Sequence, residues 1–140
     1  MTVALRDDYL APGEWTTDDL DRLPDDGRRR ELLDGQLIVS PSLTRLHQSI
    51  AMLLGAALQE TCPAEFDVTQ GVSVRTSRTR SLIPDLLVTE LDAAARNPSS
   101  YLPNEVLLAV EIASRTSDGI LLADPWDMDT PLARITPRSR

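Results

Sequence analysis

The chain has 140 residues, 22 acidic against 14 basic, for a formal net charge of -8; all 14 basic residues are arginine, so lysine as base, nucleophile or Schiff-base former is excluded. That length supports one domain, burying about two-thirds of the surface its unfolded chain would expose. The single cysteine, Cys62, excludes an internal disulfide and a cysteine-built zinc site, the longest apolar run, Ile50 to Leu58, falls short of the roughly 20 residues of a membrane span, and acids stand where a signal peptide would be apolar, so a soluble cytoplasmic protein is expected.

In chain order, Trp15-Thr16-Thr17-Asp18-Asp19-Leu20 predicts a short helix. Thr16 or Thr17 caps it, Asp18 and Asp19 suit the positive end of its dipole, and Pro24 stops it. Asp25-Asp26-Gly27 is a turn. Asp34-Gly35 between Arg30–Leu33 and Gln36–Ser40 predicts a hairpin whose two turn residues both take positive φ. Pro41 and Ser42 open the clearest helix, Ser42 to Thr61, with Leu43, Leu46, Ile50, Leu53, Leu54, Ala57 and Leu58 forming one apolar stripe and Pro63 closing it.

Beyond Pro63 the pattern alternates. Phe66-Asp67-Val68 and Val72-Ser73-Val74-Arg75 read as a strand with Gly71 at a bulge or bend, and Ile83 to Val88 as a short apolar strand. Asp92 to Pro98 is helix-like or irregular. Val106 to Ala113 is apolar on both faces, which predicts a central strand. After Ser114 a turn, a short strand at Ile120–Ala123 and a surface tail from Asp124 are expected.

The acidity is uneven. Residues 28–80 hold seven arginines and five acids, and the rest of the chain holds seven arginines and seventeen acids. The middle therefore carries two arginine clusters, Arg28-Arg29-Arg30 and Arg75, Arg78, Arg80, which read either as solvated strand ends or as a phosphate-contacting surface.

Two carboxylates interrupt apolar strands: Glu111 lies between Val110 and Ile112, and Asp85 follows Pro84. A buried lone carboxylate is costly and persists when it is paired, protonated or metal-bound. Each acid pairs with an arginine, or Asp85 caps a strand end, or the two share one divalent cation on adjacent strands; taken together they favour the cation.

Pro84-Asp85 followed by Glu111-Ile112-Ala113 resembles the Pro-Asp…(Asp/Glu)-X-Lys pattern of the restriction-endonuclease-like superfamily. Glu31-Leu32-Leu33-Asp34-Gly35, Ser40-Pro41-Ser42, His47-Gln48, Ile83-Pro84-Asp85 and Ala109-Val110-Glu111-Ile112 stand in the order of the bacterial Uma-type restriction endonuclease family, which the chain resembles over residues 14–115. The resemblance implies an α/β fold: a mixed sheet with an N-terminal hairpin and one core helix. It implies a DNA endonuclease using Mg²⁺ or Mn²⁺, held by the side chains of Asp85 and Glu111 and the backbone carbonyl of Ile112, with a metal-activated water attacking a phosphodiester. Glu31 would support the metal through a water, or is a solvated strand acid; His47 would orient the active site, or is a core-edge histidine. Arg75, Arg78 and Arg80 are the candidate DNA contacts.

The departure is the lysine. The superfamily places one two residues after the second acid, where this chain has Ala113, and Arg115 cannot replace it as a proton donor or acceptor. Gly119 to Trp126 resembles the family's C-terminal end, which implies an internal deletion after Asp118 that removes the core's last helix and strand. One domain, with residues 119–140 as a C-terminal segment, is the resulting organisation. Two functions follow: an endonuclease impaired by the missing lysine, or an inactive remnant that binds DNA or pairs with itself as a homodimer.

Overall fold

The computed structural model describes residues 11–112, apart from 12, 41, 42 and 98. Ala113, Arg115, the expected deletion junction and the segment 119–140 lie outside the described residues. Within them the chain forms a mixed α/β fold of two sheets.

The first sheet begins at the predicted hairpin. Strands β1 (Arg29–Leu33) and β2 (Gln36–Ser40) pair antiparallel, Leu33 opposite Gln36, and the turn residues Asp34 and Gly35 have φ of 49° and 78°. Both values lie in the left-handed region that an Asp-Gly turn adopts. The turn also anchors the preceding segment: the Gly35 carbonyl accepts from the Gly13 and Trp15 N–H groups, and the Gly35 N–H donates to Thr79 O. A Cβ on Gly35 would run into the Gly13 backbone. Gly35→Ala is therefore expected to destabilise the fold by about 2 kcal/mol, through strain at positive φ and a displaced N-terminal segment. Urea denaturation of the two proteins measures this.

Helix α1 (Thr17–Arg22) starts as expected, with Thr16 as cap and the Asp19 carboxylate accepting from the Thr16 N–H at 2.8 Å. Strands β4 (Ser73–Ser77), β5 (Arg80–Leu82) and β7 (Ser100–Tyr101) complete the first sheet, in the order β2-β1-β5-β4-β7. Its pairs are antiparallel except β4 with β7, so the sheet is mixed. The second sheet has the order β3-β6-β8: Phe66–Gln70, Leu86–Glu90 and Val106–Val110, all antiparallel.

Helix α2 (Arg45–Thr61) begins three residues later than the pattern of apolar residues predicts, because Thr44 caps it by accepting from the His47 N–H at 3.2 Å. The buried face departs from the expected stripe at its N-terminal end. His47, Ala51, Leu54, Ala57 and Leu58 face inward, while Leu43 and Leu46 are exposed. The spacings 4, 3, 3 and 1 follow one side of a 3.6-residue turn. Leu54, Ala57 and Leu58 pack on Leu86, Val88, Leu108 and Val110 of the second sheet. On the other face of β6, Leu87 packs with Val74, Ala93 and Tyr101. Ala93 opens a single helical turn, α3 (Ala93–Arg96), where a helix-like stretch was expected.

Three expectations need correction. The strand expected to run through Gly71 is two strands in different sheets: Gly71 takes φ 69° and the chain changes sheet there. The apolar stretch from Ile83 becomes strand only at Leu86, because Asp85 and its neighbours form the crossing from β5 to β6. The central strand is β6, whose Leu86 to Thr89 are all buried; β8 stands outermost among the described strands, with Leu107 and Ala109 exposed on one face. Among the described residues no helix is long and apolar enough to cross a membrane.

Candidate active site

Two of the chain's crossings between the sheets, at Gly71 and at Pro84-Asp85, lie side by side. Gly71 N–H donates to Asp85 O at 3.3 Å, and Asp85 N–H donates to Val110 O at 3.0 Å. These bonds fix the Asp85 backbone at the end of β8, next to Glu111. Asp85 is only 4% exposed.

Four groups converge on its carboxylate. His47 Nε2 lies 3.1 Å and Arg29 Nη1 3.3 Å from Oδ1. The Ile112 N–H donates to Oδ2 at 2.6 Å. The Glu111 carboxyl stands within hydrogen-bonding reach of the Asp85 carboxyl. Glu31 enters from β1: its Oε1 accepts from the Ile83 N–H at 2.7 Å and lies 3.7 Å from Arg29 Nη2. Arg29 also donates to the Ile83 carbonyl. The predicted set Glu31, His47, Asp85, Glu111 and Ile112 is thus brought to one place, with Asp85 at its centre.

Glu111 differs from its expectation. It stands just beyond β8 and is an exposed residue, not a buried one inside a strand. Its carboxyl is nonetheless shielded by its neighbours. That loss of water, with the adjacent negative charge of Asp85, pushes its pKa up to about 7, partly offset by Arg29. A carboxyl that binds its proton more tightly when folded than when unfolded stabilises the fold at low pH and loses that advantage as pH rises. From the ordinary 4.5 to about 7, the metal-free protein is therefore expected to lose stability, and Glu111→Gln to remove this slope. Calorimetric melts across that range at fixed ionic strength check it; identical slopes would contradict it.

The two carboxyls facing each other form a like-charged pair that a cation would relieve, which fits Mg²⁺, an ion that binds through one or two carboxylates and keeps several waters. Among the described residues no three His, Cys, Asp or Glu side chains are arranged to hold a metal as they stand. The Arg29 guanidinium contacts both Glu31 and Asp85. The site opens on a cleft of about 620 Å³ bordered by Arg28, Arg29, His47, Gln48, Gln70 and Asp85. Across it Gln70 Nε2 donates to Gln48 Oε1 at 3.3 Å.

Arg75, Arg78 and Arg80 are not part of this cluster. Arg75 donates to Asp21 at 3.0 Å, Arg78 lies 3.8 Å from Asp18, and Arg80 donates to Asp34 at 2.9 Å. Arg75 holds the Asp21 carboxyl below the usual carboxylate range. These arginines face the acids of α1 and the hairpin turn, at the opposite end of β1 from Arg29. Five residues of strand span roughly 16 Å. The arginine that reaches the carboxylates is Arg29, and strand alternation was its signal, since Arg29 and Glu31 share a face of β1. Gln70 and the Ile83 backbone carried no signal, because their place depends on the crossing between sheets.

The model of the Uma2 family, described as "Putative restriction endonuclease", matches residues 17–124. Among solved structures, a "putative nuclease belonging to DUF820" from Anabaena variabilis ATCC 29413 has a TM-score of 0.55 and 20% identity, over 71% of this chain. The match spans 59% of that nuclease's length, and the likeness is one of fold. No curated protein matches the chain.

Proposed function

This chain belongs to the Uma2 family, and from that premise we propose that it is a divalent-ion-dependent DNA endonuclease with Asp85 and Glu111 as the ligands of Mg²⁺ or Mn²⁺ and the Ile112 carbonyl as a third. The single observation carrying this reading is the Asp85–Glu111 pair, two neighbouring carboxyls of which Asp85 borders an open cleft. When bound, the ion would supply Lewis-acid stabilisation of the phosphoryl oxygens and a water of lowered pKa.

The chain's own residues do the positioning. The Ile112 N–H and His47 Nε2 fix the Asp85 carboxylate, and the backbone of residue 83 fixes Glu31 beside it. Arg28 and Arg29 line the cleft where a phosphodiester would enter, which supports DNA backbone contacts there. Without lysine, no side chain of that pKa class is at hand to manage the proton of the attacking water. Cleavage is therefore expected to be slow, roughly 10²–10⁴-fold below that of a relative with the complete motif, the usual size of a general acid–base contribution. Conversion of supercoiled plasmid to nicked circles, with Mg²⁺ and with EDTA, tests the reading; equal conversion in both would refute it. The single cysteine supports a cytoplasmic setting.

The missing lysine also favours a second reading, an inactive remnant that holds DNA or pairs with its own copies. Ile38 and Val39 are exposed on β2, the outer strand of the first sheet, and Leu43 and Leu46 are exposed nearby in sequence. An apolar sheet edge of this kind favours self-association. Sedimentation velocity separates the readings: a dimer without nicking supports the remnant, and a nicking monomer excludes it.

A further inference from the structure

Arg29 is seated where a cation belongs. It shares a face of β1 with Glu31, its guanidinium lies 3.3 Å from Asp85 Oδ1 and 3.7 Å from Glu31 Oε1, and its side chain is 20% exposed. Its Nε is buried with no hydrogen-bond partner, so the five-donor fork is incompletely used in this position. The same residue borders the cleft. Resting on the reading that Asp85 and Glu111 bind a divalent ion, we propose that Arg29 is the resident cation of the metal-free site, which the ion displaces from Asp85 toward the cleft, where the guanidinium takes a phosphodiester oxygen of DNA.

The chemistry follows from charge. Glu31 and Asp85 place two carboxyls against one guanidinium, with Glu111 near enough to feel its charge, and the guanidinium neutralises them in part while no metal is bound. A divalent ion competing for Asp85 Oδ1 meets the guanidinium there, so part of its binding energy goes to breaking that contact. Once released, the guanidinium matches a phosphate oxygen pair better than an ammonium would, because its planar fork binds two oxygens at once. One side chain thereby couples metal binding to DNA binding, and Arg29 acts as a positioning residue for the carboxylates until it meets the phosphate.

The test uses Mn²⁺ as the probe, counted by the electron paramagnetic resonance of the free ion, and a short DNA duplex in Ca²⁺. Arg29→Gln is expected to bind Mn²⁺ about tenfold tighter and the duplex about tenfold more weakly, the size of one charged hydrogen bond in each direction. Arg29→Lys, which keeps the charge, should restore most of the competition and less of the duplex affinity. In the wild-type chain, the Arg29 Nε–H resonance should shift and saturate with Mg²⁺. Mn²⁺ affinity in Arg29→Gln equal to or weaker than wild type would overturn the proposal while leaving the metal site standing. Absence of Mn²⁺ binding in both proteins would overturn the metal reading and this inference with it. If Arg29→Gln does not fold, the wild-type resonance decides: an Nε–H unmoved at saturating Mg²⁺ overturns the displacement.

Discussion

Asp85→Ala is expected to abolish Mg²⁺-dependent nicking, leaving the conversion of plasmid no faster than in EDTA. Asp85 is the hub of the cluster: His47, Arg29, the Ile112 N–H and Glu111 all meet its two oxygens. Alanine removes one metal ligand and also the group that orients the others. Removing one partner of a buried ion pair normally costs about 3–5 kcal/mol, because the other charge is left unpaired. Here Arg29 keeps Glu31 and the Ile83 carbonyl, so about 2 kcal/mol is the expected stability loss. Asp85→Asn serves as the companion variant. It keeps an oxygen that accepts from the Ile112 N–H and should fold close to wild type, yet lacks the charge an ion needs. Nicking by either variant at the wild-type rate would remove Asp85 from the chemistry.

Leu54→Ala carries the largest expected effect on stability, a loss of about 2–5 kcal/mol. Leu54 has no exposed surface and sits where α2 meets Leu86, Val88 and Val110 of the second sheet. Truncation leaves a cavity that the close-packed helix and sheet cannot refill, which adds to the lost burial. Leu46→Ala, on the same helix but 60% exposed, is expected to change stability by less than about 0.5 kcal/mol. Chemical denaturation of the pair checks the buried face of the helix directly. Equal losses would mean that the apolar stripe read from the sequence, with Leu46 inward, describes the buried face after all.

That contrast shows where the sequence was legible. The Asp34-Gly35 hairpin was readable because a two-residue turn needs positive φ at both positions and this pair supplies it. An N-cap at Thr16 or Thr17 was readable from side-chain chemistry, and the structure uses Thr16. The Leu54, Ala57 and Leu58 part of the expected stripe of α2 is buried, and the difference lies at its N-terminal end: Leu43 and Leu46 are exposed, while His47 takes the buried place where its Nε2 meets Asp85. The split of Phe66 to Ser77 into two sheets was hidden because alternation continues on both sides of Gly71. Likewise β5 is three residues long and too short to carry a period.

The site divided the same way. Glu31, His47, Asp85, Glu111 and Ile112 were named from the family pattern, and the fold gathers them. Glu111 stands beyond the strand rather than buried within it, and the shielding of its carboxyl from water, followed by the charge of Asp85, raises its pKa. Arg29 is one of three consecutive arginines, and alternation along β1 sets it on the face of Glu31 and Arg30 on the other; in the hairpin Arg29 stands opposite Ser40 and Arg30 opposite Val39. Arg30 turns instead to Asp26, at 2.8 Å from each of its two oxygens, and lowers that carboxyl to about 2.

The most direct measurement of the central claim is a Mn²⁺ titration of the wild-type chain beside a variant carrying Asp85→Asn and Glu111→Gln together. Saturable binding of about one ion per chain by the wild type, lost in the double variant while its far-ultraviolet circular dichroism is unchanged, is the result expected of two carboxylates sharing one ion. Saturable binding of equal strength in both proteins, or none in the wild type, would contradict it.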